Sequence, residues 1–385
     1  MRAFFSQPPF ALAFAGNICN GLSFNLFLHL PLYLLTLGGD EVLIGSVMGI
    51  SALTALGARI ATGIAMDAKG QKRIIFTGHA LTIVAVSLYL FLDGIGPLLW
   101  VARLMHGLSE GVLGVAYMAY AAELVPATNR ARGIALFGIS GMLPVALGGY
   151  LGDVVISWWG FTGLFGTALG VAGIALLTSF ALPEIERLRV PAEHPGRNFW
   201  DTLVNPALIP IWLAISGVFV AVTAYFTFTR TYIAITGLGT VGGFFAAYAL
   251  TTIAFRVLAG SLPERLGTRR LLISSSSLFA GGLLVLALAS TDAMILAAGI
   301  LCGAGHAYVY PALFALTVDR APAHARASAT AISAALGDVV KLAGAPLLGL
   351  VIIASSYQVM FTVVGATFLA MMAGAAVVNR RYRRV

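Results

Sequence analysis

Long apolar runs alternate with short polar connections along the whole chain. The runs approach or exceed the about 20 residues that an α-helix needs to cross a hydrocarbon core about 30 Å thick. The first run is too long for the apolar core of a signal peptide and contains Asn17, Asn20 and Asn25, so we expect it to be retained. The pattern predicts twelve membrane-spanning helices, numbered here as spans 1 to 12: 9–36, 42–66, 74–93, 97–122, 133–156, 161–182, 207–234, 240–262, 271–289, 293–318, 328–352 and 358–379.

Composition agrees with an all-α integral membrane protein. Hydrophobic residues make up 59% of the 385 residues, and the mean hydropathy is +0.94, whereas soluble domains are about 45–50% apolar. The two cysteines, Cys19 and Cys302, lie in spans 1 and 10, which favours packing roles over a disulfide or a metal site. The sequence has no Walker loop and no metal-ligand cluster, and its G-x-S-x-G match at 107–111 lies inside span 4 rather than on the strand-to-helix turn of a nucleophile elbow, so we expect neither an enzyme nor a pump, and no cofactor.

The net charge of +8 is distributed in a way that reports membrane topology rather than a nucleic-acid partner. Lys and Arg outside the spans occupy connections on one side only, while connections on the other side, such as "LGGDEV" and "STDAM", contain none. The positive-inside rule therefore predicts that both termini and the connection 183–206 are cytoplasmic. The basic residues inside spans are Arg59, Arg103, Arg230, Arg256 and Lys341. Arg59 and Arg256 lie near the inner ends of their spans and are expected to be structural.

The chain contains an internal repeat of about half its length. The charged stretch "GIAMDAKGQKR" at 63–73 recurs as "GSLPERLGTRR" at 260–270, and the segment beginning at Gly107 aligns without gaps to the segment beginning at Gly303. Arg59 likewise aligns with Arg256. We therefore expect two pseudo-symmetric six-helix bundles, 1–183 and 206–385, joined by a cytoplasmic linker at 184–205. A parallel repeat implies a two-fold axis along the membrane normal and a binding site near the midplane.

Three motifs carry a family resemblance. The pattern G-x-x-x-D-x-x-G-x-K/R-K/R after span 2, echoed after span 8, resembles the signature of the major facilitator superfamily of secondary transporters. "RLMHGLSEG" in span 4 is similar to the family's R-x-x-x-G-x-G pattern, with Ser109 at the later glycine. "GISGMLPVALGG" in span 5 resembles the glycine- and proline-rich motif of its antiporters, with a proline-to-glycine gap one residue longer. The resemblance implies a twelve-helix transporter that works by alternating access.

The resemblance implies that the charged stretch after span 2 acts as a gate on the cytoplasmic side of the transporter. Asp67 would lie near Arg130 and face the N-terminal end of span 11 when that side is closed. The alternative is a plain topology and turn role, in which Gly63 and Gly70 let two helices turn and the charges keep the turn in the cytoplasm. The residues assigned to gating are Gly63, Asp67, Gly70, Lys72, Arg73 and Arg130, with Glu264, Gly267, Arg269, Arg270 and Arg326 in the second half.

Span 4 carries the ionisable groups expected to couple transport to protons: Arg103, His106 and Glu110. At 100° per residue, Arg103 and Glu110 lie within about 20° of each other, two turns apart. We expect Glu110 to carry the proton and Arg103 to control its release by approaching or leaving it. The alternatives are an internal charge pair that only fixes packing, and a packing role for His106. Asp338 in span 11 is the rival proton carrier, unless it is neutralised by Lys341.

Spans 1 and 7 line the substrate cavity in the family, and both contain polar residues here. Asn17, Asn20 and Asn25 fall on one broad stripe of span 1, which favours hydrogen bonds to a polar ligand, with hydrogen bonds between helices as the alternative. In the second half, Arg230 could instead cap the outer end of span 7, and His306 could be a structural histidine. The residues assigned to substrate binding are Asn17, Asn20, Asn25, Tyr225, Arg230, His306 and Tyr310.

The first functional hypothesis is a monomeric, proton-coupled antiporter that exports a small organic molecule across a bacterial inner membrane. The alternative is a proton symporter importing a small organic anion such as a carboxylate or sugar acid, because basic residues outnumber acidic ones within the spans. A hypothesis of another class is a transporter-like receptor or scaffold without flux. The expected partners are a small-molecule substrate, protons and the lipid bilayer.

Overall fold

A computed structural model gives the fold of each half of the chain. It describes residues 7–125, 130–185, 200–259, 262–322 and 325–382, without the side chains of residues 64, 67–69, 130–132, 135, 263–264, 327 and 378–382. Every secondary-structure element in these ranges is a helix. The chain divides into two compact units, Met1–Arg189 and Val190–Val385. We call the end of each unit that holds residues 63–73 or 262–270 its basic end.

The first unit contains spans 1 to 6. Span 1 is Pro8–Asn25 followed by a 3-10 turn, Leu26–His29, and a short helix, Leu30–Thr36. Spans 2, 3 and 4 are Glu41–Lys69, Gln71–Tyr89 and Pro97–Leu124, and a short helix, Arg130–Phe137, precedes span 5. Spans 5 and 6 form one stretch, Ile139–Ala181, broken at Gly160, whose φ is 63°. The sequence predicts a connection at 157–160 between these two spans, and in the structure only Gly160 departs from helical geometry.

The second unit repeats this order with spans 7 to 12. They are Ile209–Thr236, Val241–Leu258, Leu262–Ala287, Asp292–Arg320, Arg326–Ala354 and Tyr357–Tyr382. Within the described residues, nine helices are individually long and apolar enough to cross a membrane. One of them, Ile139–Ala181, comprises two spans, and the more polar helices Gln71–Tyr89 and Pro97–Leu124 complete the twelve.

Side-chain caps start several spans where the sequence offers Asp or Thr. The Asp40 carboxylate accepts a hydrogen bond of 2.7 Å from the backbone N–H of Leu43 at the start of span 2. Thr240 and Thr291 do the same at the starts of spans 8 and 10. Each cap satisfies an N–H group that the first helical turn leaves without an intrahelical acceptor.

The two units use the same helix pairs. Span 2 packs on span 4 and span 3 on spans 4 and 6, as span 8 packs on span 10 and span 9 on spans 10 and 12. Glycines permit the closest approach: a Cβ on Gly107 would overlap the carbonyl oxygen of Ser51, and a Cβ on Gly303 would overlap that of Tyr248. Small residues that let helix backbones approach are typical of helix packing in membranes. The repeat in the sequence is therefore a repeat in the packing.

Candidate functional site

Arg103 is fixed to span 2. Its side chain is 1% exposed, its Nε donates to the carbonyl oxygen of Val47 at 3.0 Å, and its Nη2 donates to the carbonyl oxygen of Met48 at 3.3 Å and to Ser51 Oγ at 3.1 Å. The guanidinium also interacts with the Tyr89 hydroxyl of span 3, and its expected approach to Glu110 stays a prediction. Proximity favours the contacts with span 2, because Gly107 brings the backbone of span 2 against span 4, whereas Glu110 is about 10 Å further along its own helix.

His106 is buried in an aromatic cluster within the first unit. Its ring lies edge-on to Phe24 and Phe27, with centroids 5.2 and 4.5 Å away, and Tyr89 packs on Phe27 at 4.6 Å. His106 thus joins the hydrophobic contact between spans 1, 3 and 4. Glu110 follows one helical turn later and is partly exposed.

The polar side chains of span 1 connect it to span 5 or to its own helix. Asn17 Nδ2 donates to Ser140 Oγ at 2.7 Å, and Asn25 Nδ2 donates to the carbonyl oxygen of Gly21 at 2.8 Å. Asn20 is partly exposed. His29, which is fully buried, lies 3.1 Å from the carbonyl oxygen of Gly149 through Nε2. Hydrogen bonds between helices, the alternative considered for this stripe, are therefore present at Asn17.

At the basic end of the first unit, Gly70 and Glu184 organise the turn between spans 2 and 3. Gly70 has φ 85° and ψ 156°, a region of backbone space that is essentially restricted to glycine. The carboxylate of Glu184, just beyond span 6, accepts from the backbone N–H of Lys72 at 3.4 Å, and Lys72 Nζ donates to the carbonyl oxygen of Phe180 at 2.9 Å. A carboxylate at this helix N-terminus is electrostatically favourable.

Gly63 does not have the role expected of it. It lies inside the helix of span 2, and no heavy atom of the described residues comes within 4 Å of the position its Cβ would take. Neither an unusual dihedral nor a close approach requires glycine there. Arg73 is exposed. The side chains of Asp67, Arg130 and Glu264 lie outside the described part of the structure, so the gate stays a prediction.

The second unit repeats the turn. Gly267 has φ 71° and ψ 154°, and it separates the first residues of the helix Leu262–Ala287 from the membrane-crossing part. Arg269, Arg270 and Arg326 are exposed around the same end of the unit.

Tyr225, Tyr248 and His306 form a hydrogen-bonded chain across spans 7, 8 and 10. The Tyr225 hydroxyl donates to the Tyr248 hydroxyl at 2.8 Å, and the Tyr248 hydroxyl contacts Nδ1 of His306. A Tyr248 hydroxyl that accepts from Tyr225 is left to donate to His306, which makes Nδ1 the acceptor and puts the proton of a neutral ring on Nε2. Both tyrosines are fully buried. The chain fixes the tautomer and orientation of His306, which is partly exposed.

The remaining candidates of the second unit lie on spans 7, 10 and 11. Tyr310 packs on Phe219 with ring centroids 5.5 Å apart. Arg230 is partly exposed, and Asp338 is 7% exposed, with Lys341 three residues later and partly exposed. Among the described residues, no three His, Cys, Asp or Glu side chains group to hold a metal ion.

The family model of the "Major Facilitator Superfamily" matches residues 10–247 and 236–384, which together span both units. The chain belongs to the major facilitator superfamily. It is therefore a secondary transporter of the membrane. An uncharacterized MFS-type transporter of Pseudomonas aeruginosa is 28% identical over 360 residues, covering 90% of this chain and 87% of the relative. The inner membrane transport protein YajR of Escherichia coli is 30% identical over 141 residues, covering 36% of this chain and 30% of the relative.

Solved structures of superfamily transporters have the same fold. A POT family transporter in complex with a thioalcohol-conjugated peptide superposes with a TM-score of 0.82 at 13% identity, covering 96% of each chain. The nucleoside transporter NupG superposes with a TM-score of 0.76 at 14% identity, covering 95% of this chain and 98% of NupG. At such identities the likeness concerns the fold alone.

Sequence reasoning did not identify Tyr248 or Glu184 as site residues, although the sequence contains an indication of each. Tyr248 aligns with Ser51 at the same offset of 197 that relates Gly70 to Gly267. Ser51 contacts Arg103 of span 4, and Tyr248 contacts His306 of span 10. Glu184 is the first residue of the linker predicted at 184–205. An acidic residue directly after a span, opposite a turn of basic residues, is a candidate cap.

Proposed function

We propose that this transporter is a proton-coupled antiporter that exports a small organic molecule. The observation that carries the proposal is the engagement of Arg103 with Val47, Met48 and Ser51. A guanidinium held by backbone carbonyls of a neighbouring span is a structural element, so it is not counted among the cations available to an anionic substrate.

Excluding Arg103 lowers the number of cations within the spans that are available to a substrate. With Arg59 and Arg256 near span ends and Arg103 engaged, the remaining basic residues within the spans are Arg230 and Lys341, which Glu110 and Asp338 match in number. This balance weakens the reason for expecting an organic anion as substrate. A carboxylate that binds either a proton or a substrate couples their movements in opposite directions, which is antiport.

In this proposal the residues divide their tasks between the units. Glu110 carries the proton, with Asp338 as its rival, and His106 and Arg103 hold span 4 in place. In the second unit, Tyr225 and Tyr248 orient His306 toward the substrate, and Arg230 and Tyr310 complete the pocket with Asn20 of span 1. Asn17 and Asn25 belong to the framework of span 1, given their hydrogen bonds.

The proposal also places the protein in a bacterial inner membrane as a monomer, with both termini and the linker 184–205 in the cytoplasm. The basic ends of both units then face the cytoplasm, where the motifs around Gly70 and Gly267 form a gate that closes in the outward-open state. The basic residues of these ends support this orientation.

Proton symport of a small organic anion is the second candidate. It is favoured by Arg230 and Lys341 if both contribute their charges to the substrate site while Asp338 serves as the proton carrier. The two candidates differ in the direction in which a proton gradient drives the substrate.

The experiment has two stages. A panel of small organic cations, anions and neutral molecules is first screened on the purified protein for a rise in melting temperature, which reports ligand binding to the folded state. The ligand found is then followed in proteoliposomes. An inside-acid gradient should accelerate uptake by an antiporter, whereas release of preloaded ligand would contradict antiport and support the symporter. Ligand binding without any flux would contradict both and support a receptor or scaffold.

A further inference from the structure

A cavity of about 550 Å³ lies within the second unit, away from the polar chain of Tyr225, Tyr248 and His306. Its walls come from spans 7, 9, 10 and 12. On span 10 the lining begins at Leu313, seven residues beyond His306, or about 10 Å along the helix. Its volume falls in the about 300–1,000 Å³ range of small-molecule sites.

The interior of the cavity is apolar. Ile211, Ala214, Leu272, Leu313 and Met372 contribute to the walls. Ile273 of span 9 and Leu369 of span 12 also line it and are 58% and 42% exposed. Exposed apolar side chains at the edge of a cavity in a membrane-spanning unit give a lipid chain an apolar entrance from the hydrocarbon.

The mouth of the cavity at the basic end is cationic. Arg269 and Arg320 line it, together with Thr268. Because Gly267 leaves the helical conformation, the helix restarts at Thr268. Thr268 and Arg269 therefore lie in a first turn, where N–H groups and the helix dipole favour an anion.

A polar group without a partner lies deeper in the same cavity. Ser276 lines it, is 4% exposed, and its Oγ has no hydrogen-bond partner among the described residues. Ser276 follows Arg269 by seven residues, about 10 Å along span 9. A buried hydroxyl of this kind is stabilised when a ligand offers it an acceptor.

We propose that this cavity binds one anionic phospholipid of the leaflet at the basic end. The phosphate lies between Arg269, Arg320 and the first turn of span 9, one acyl chain follows the apolar walls, and an ester carbonyl oxygen accepts from Ser276. Cationic mouth, apolar interior and access from the hydrocarbon fit a lipid better than a soluble anion, which needs no apolar wall. The site holds spans 7, 9, 10 and 12 together at the end that carries the Gly267 turn.

Native mass spectrometry of the purified full chain in detergent tests the proposal. Phosphatidylglycerol, phosphatidylcholine with identical acyl chains, and inorganic phosphate are added separately and in competition. The first variant is Arg269→Gln with Arg320→Gln, which removes the charge at the mouth. The second is Ala373→Phe, which fills the cavity from span 12. Arg265→Gln removes an exposed arginine that does not line the cavity and is the matched control.

Wild-type protein and Arg265→Gln should retain one phosphatidylglycerol in preference to phosphatidylcholine. The double variant should lose that preference by about tenfold, since two partly exposed ion contacts together are worth about that factor. Ala373→Phe should reduce retention of both lipids while the melting temperature stays within the range of the other variants.

Two results would overturn the proposal. One is equal retention of phosphatidylglycerol by the wild type, the double variant and Ala373→Phe. The other is a bound phosphate that displaces phosphatidylglycerol at equal concentration, because the site would then take free anions rather than a lipid.

Discussion

Gly70 and Gly267 have the same backbone conformation although 197 residues separate them along the chain. Their φ and ψ angles are 85° and 156° in the first unit, and 71° and 154° in the second. The repeated motif therefore places glycine where the backbone conformation requires it. At each of these two positions the chain leaves one helix and starts the next within a single residue. The charges of the motif surround a turn that only glycine forms without strain.

We predict that Gly267→Ala lowers the free energy of unfolding of the protein by about 1–3 kcal/mol, the cost of an alanine in this region of backbone space. No heavy atom among the described residues lies within 4 Å of the added Cβ, so the strain is purely conformational. Unfolding in a denaturing detergent measures it. The control is Gly281→Ala in the same span, where the backbone is helical and the Cβ also meets nothing, and which should be neutral or stabilising by up to about 1 kcal/mol. Equal effects of the two substitutions would contradict the prediction.

Replacing Arg103 should destabilise the first unit. Arg103→Met removes hydrogen bonds from a charged donor to Val47, Met48 and Ser51, and we expect a loss of about 2–4 kcal/mol in the free energy of unfolding. Arg103→Lys should lose about half as much, since an ammonium group does not reproduce the planar fork of a guanidinium.

The same series separates two accounts of Arg103. The exposed Arg265→Met should change stability by less than about 0.5 kcal/mol. If Arg103 acted mainly through Glu110, then Glu110→Gln would destabilise the protein as much as Arg103→Met. We expect Glu110→Gln to be far milder.

Tyr248 should matter for binding because it orients His306. We expect Tyr248→Phe to weaken ligand affinity about two- to tenfold, the range that one lost hydrogen bond produces, with the protein still folded. Isothermal titration with the ligand from the melting-temperature screen measures this. Tyr308→Phe is the matched control, because its hydroxyl shares its one hydrogen between the carbonyl oxygens of Phe255 and Ala259 and, within the described part of the structure, forms no hydrogen bond with His306. A larger loss of affinity in Tyr308→Phe than in Tyr248→Phe would show that the Tyr248 chain does not support the pocket.

The gate is tested at Asp67, where the repeated motif has its carboxylate. We expect Asp67→Asn to slow turnover in proteoliposomes while equilibrium binding of the ligand is unchanged, because the substitution alters the balance between conformations rather than the pocket. A loss of binding that matches the loss of transport would refute the gating role.

The sequence predicted the fold well because hydropathy and repetition both act over long stretches. Twelve spans and the repeated turn followed from apolar runs and from the match of Gly70 with Gly267. Local breaks inside apolar stretches were less visible. The 3-10 turn Leu26–His29 lies inside the predicted span 1, and the connection predicted at 157–160 is a break at Gly160 alone within one long helical stretch.

The candidate site was harder to predict because spacing along one helix does not reveal a partner on another. Arg103 and Glu110 share a helical face, yet the backbone carbonyls of span 2 are closer to the guanidinium. Carbonyl acceptors have no signature in a sequence, since every residue has one. The same holds for Asn25, which donates to the carbonyl of Gly21.

The central claim, that Glu110 carries the proton of an antiporter, is tested most directly by transport in proteoliposomes with Glu110→Gln and Asp338→Asn side by side. The ligand is the one found in the melting-temperature screen, and each variant is assayed for accumulation driven by a pH gradient alone and for exchange of labelled against unlabelled ligand. We predict that Glu110→Gln reduces gradient-driven accumulation to the level of protein-free liposomes but keeps exchange, which needs no net proton movement, while Asp338→Asn still accumulates ligand. Accumulation by Glu110→Gln together with its loss in Asp338→Asn would contradict the claim and place the proton path in span 11.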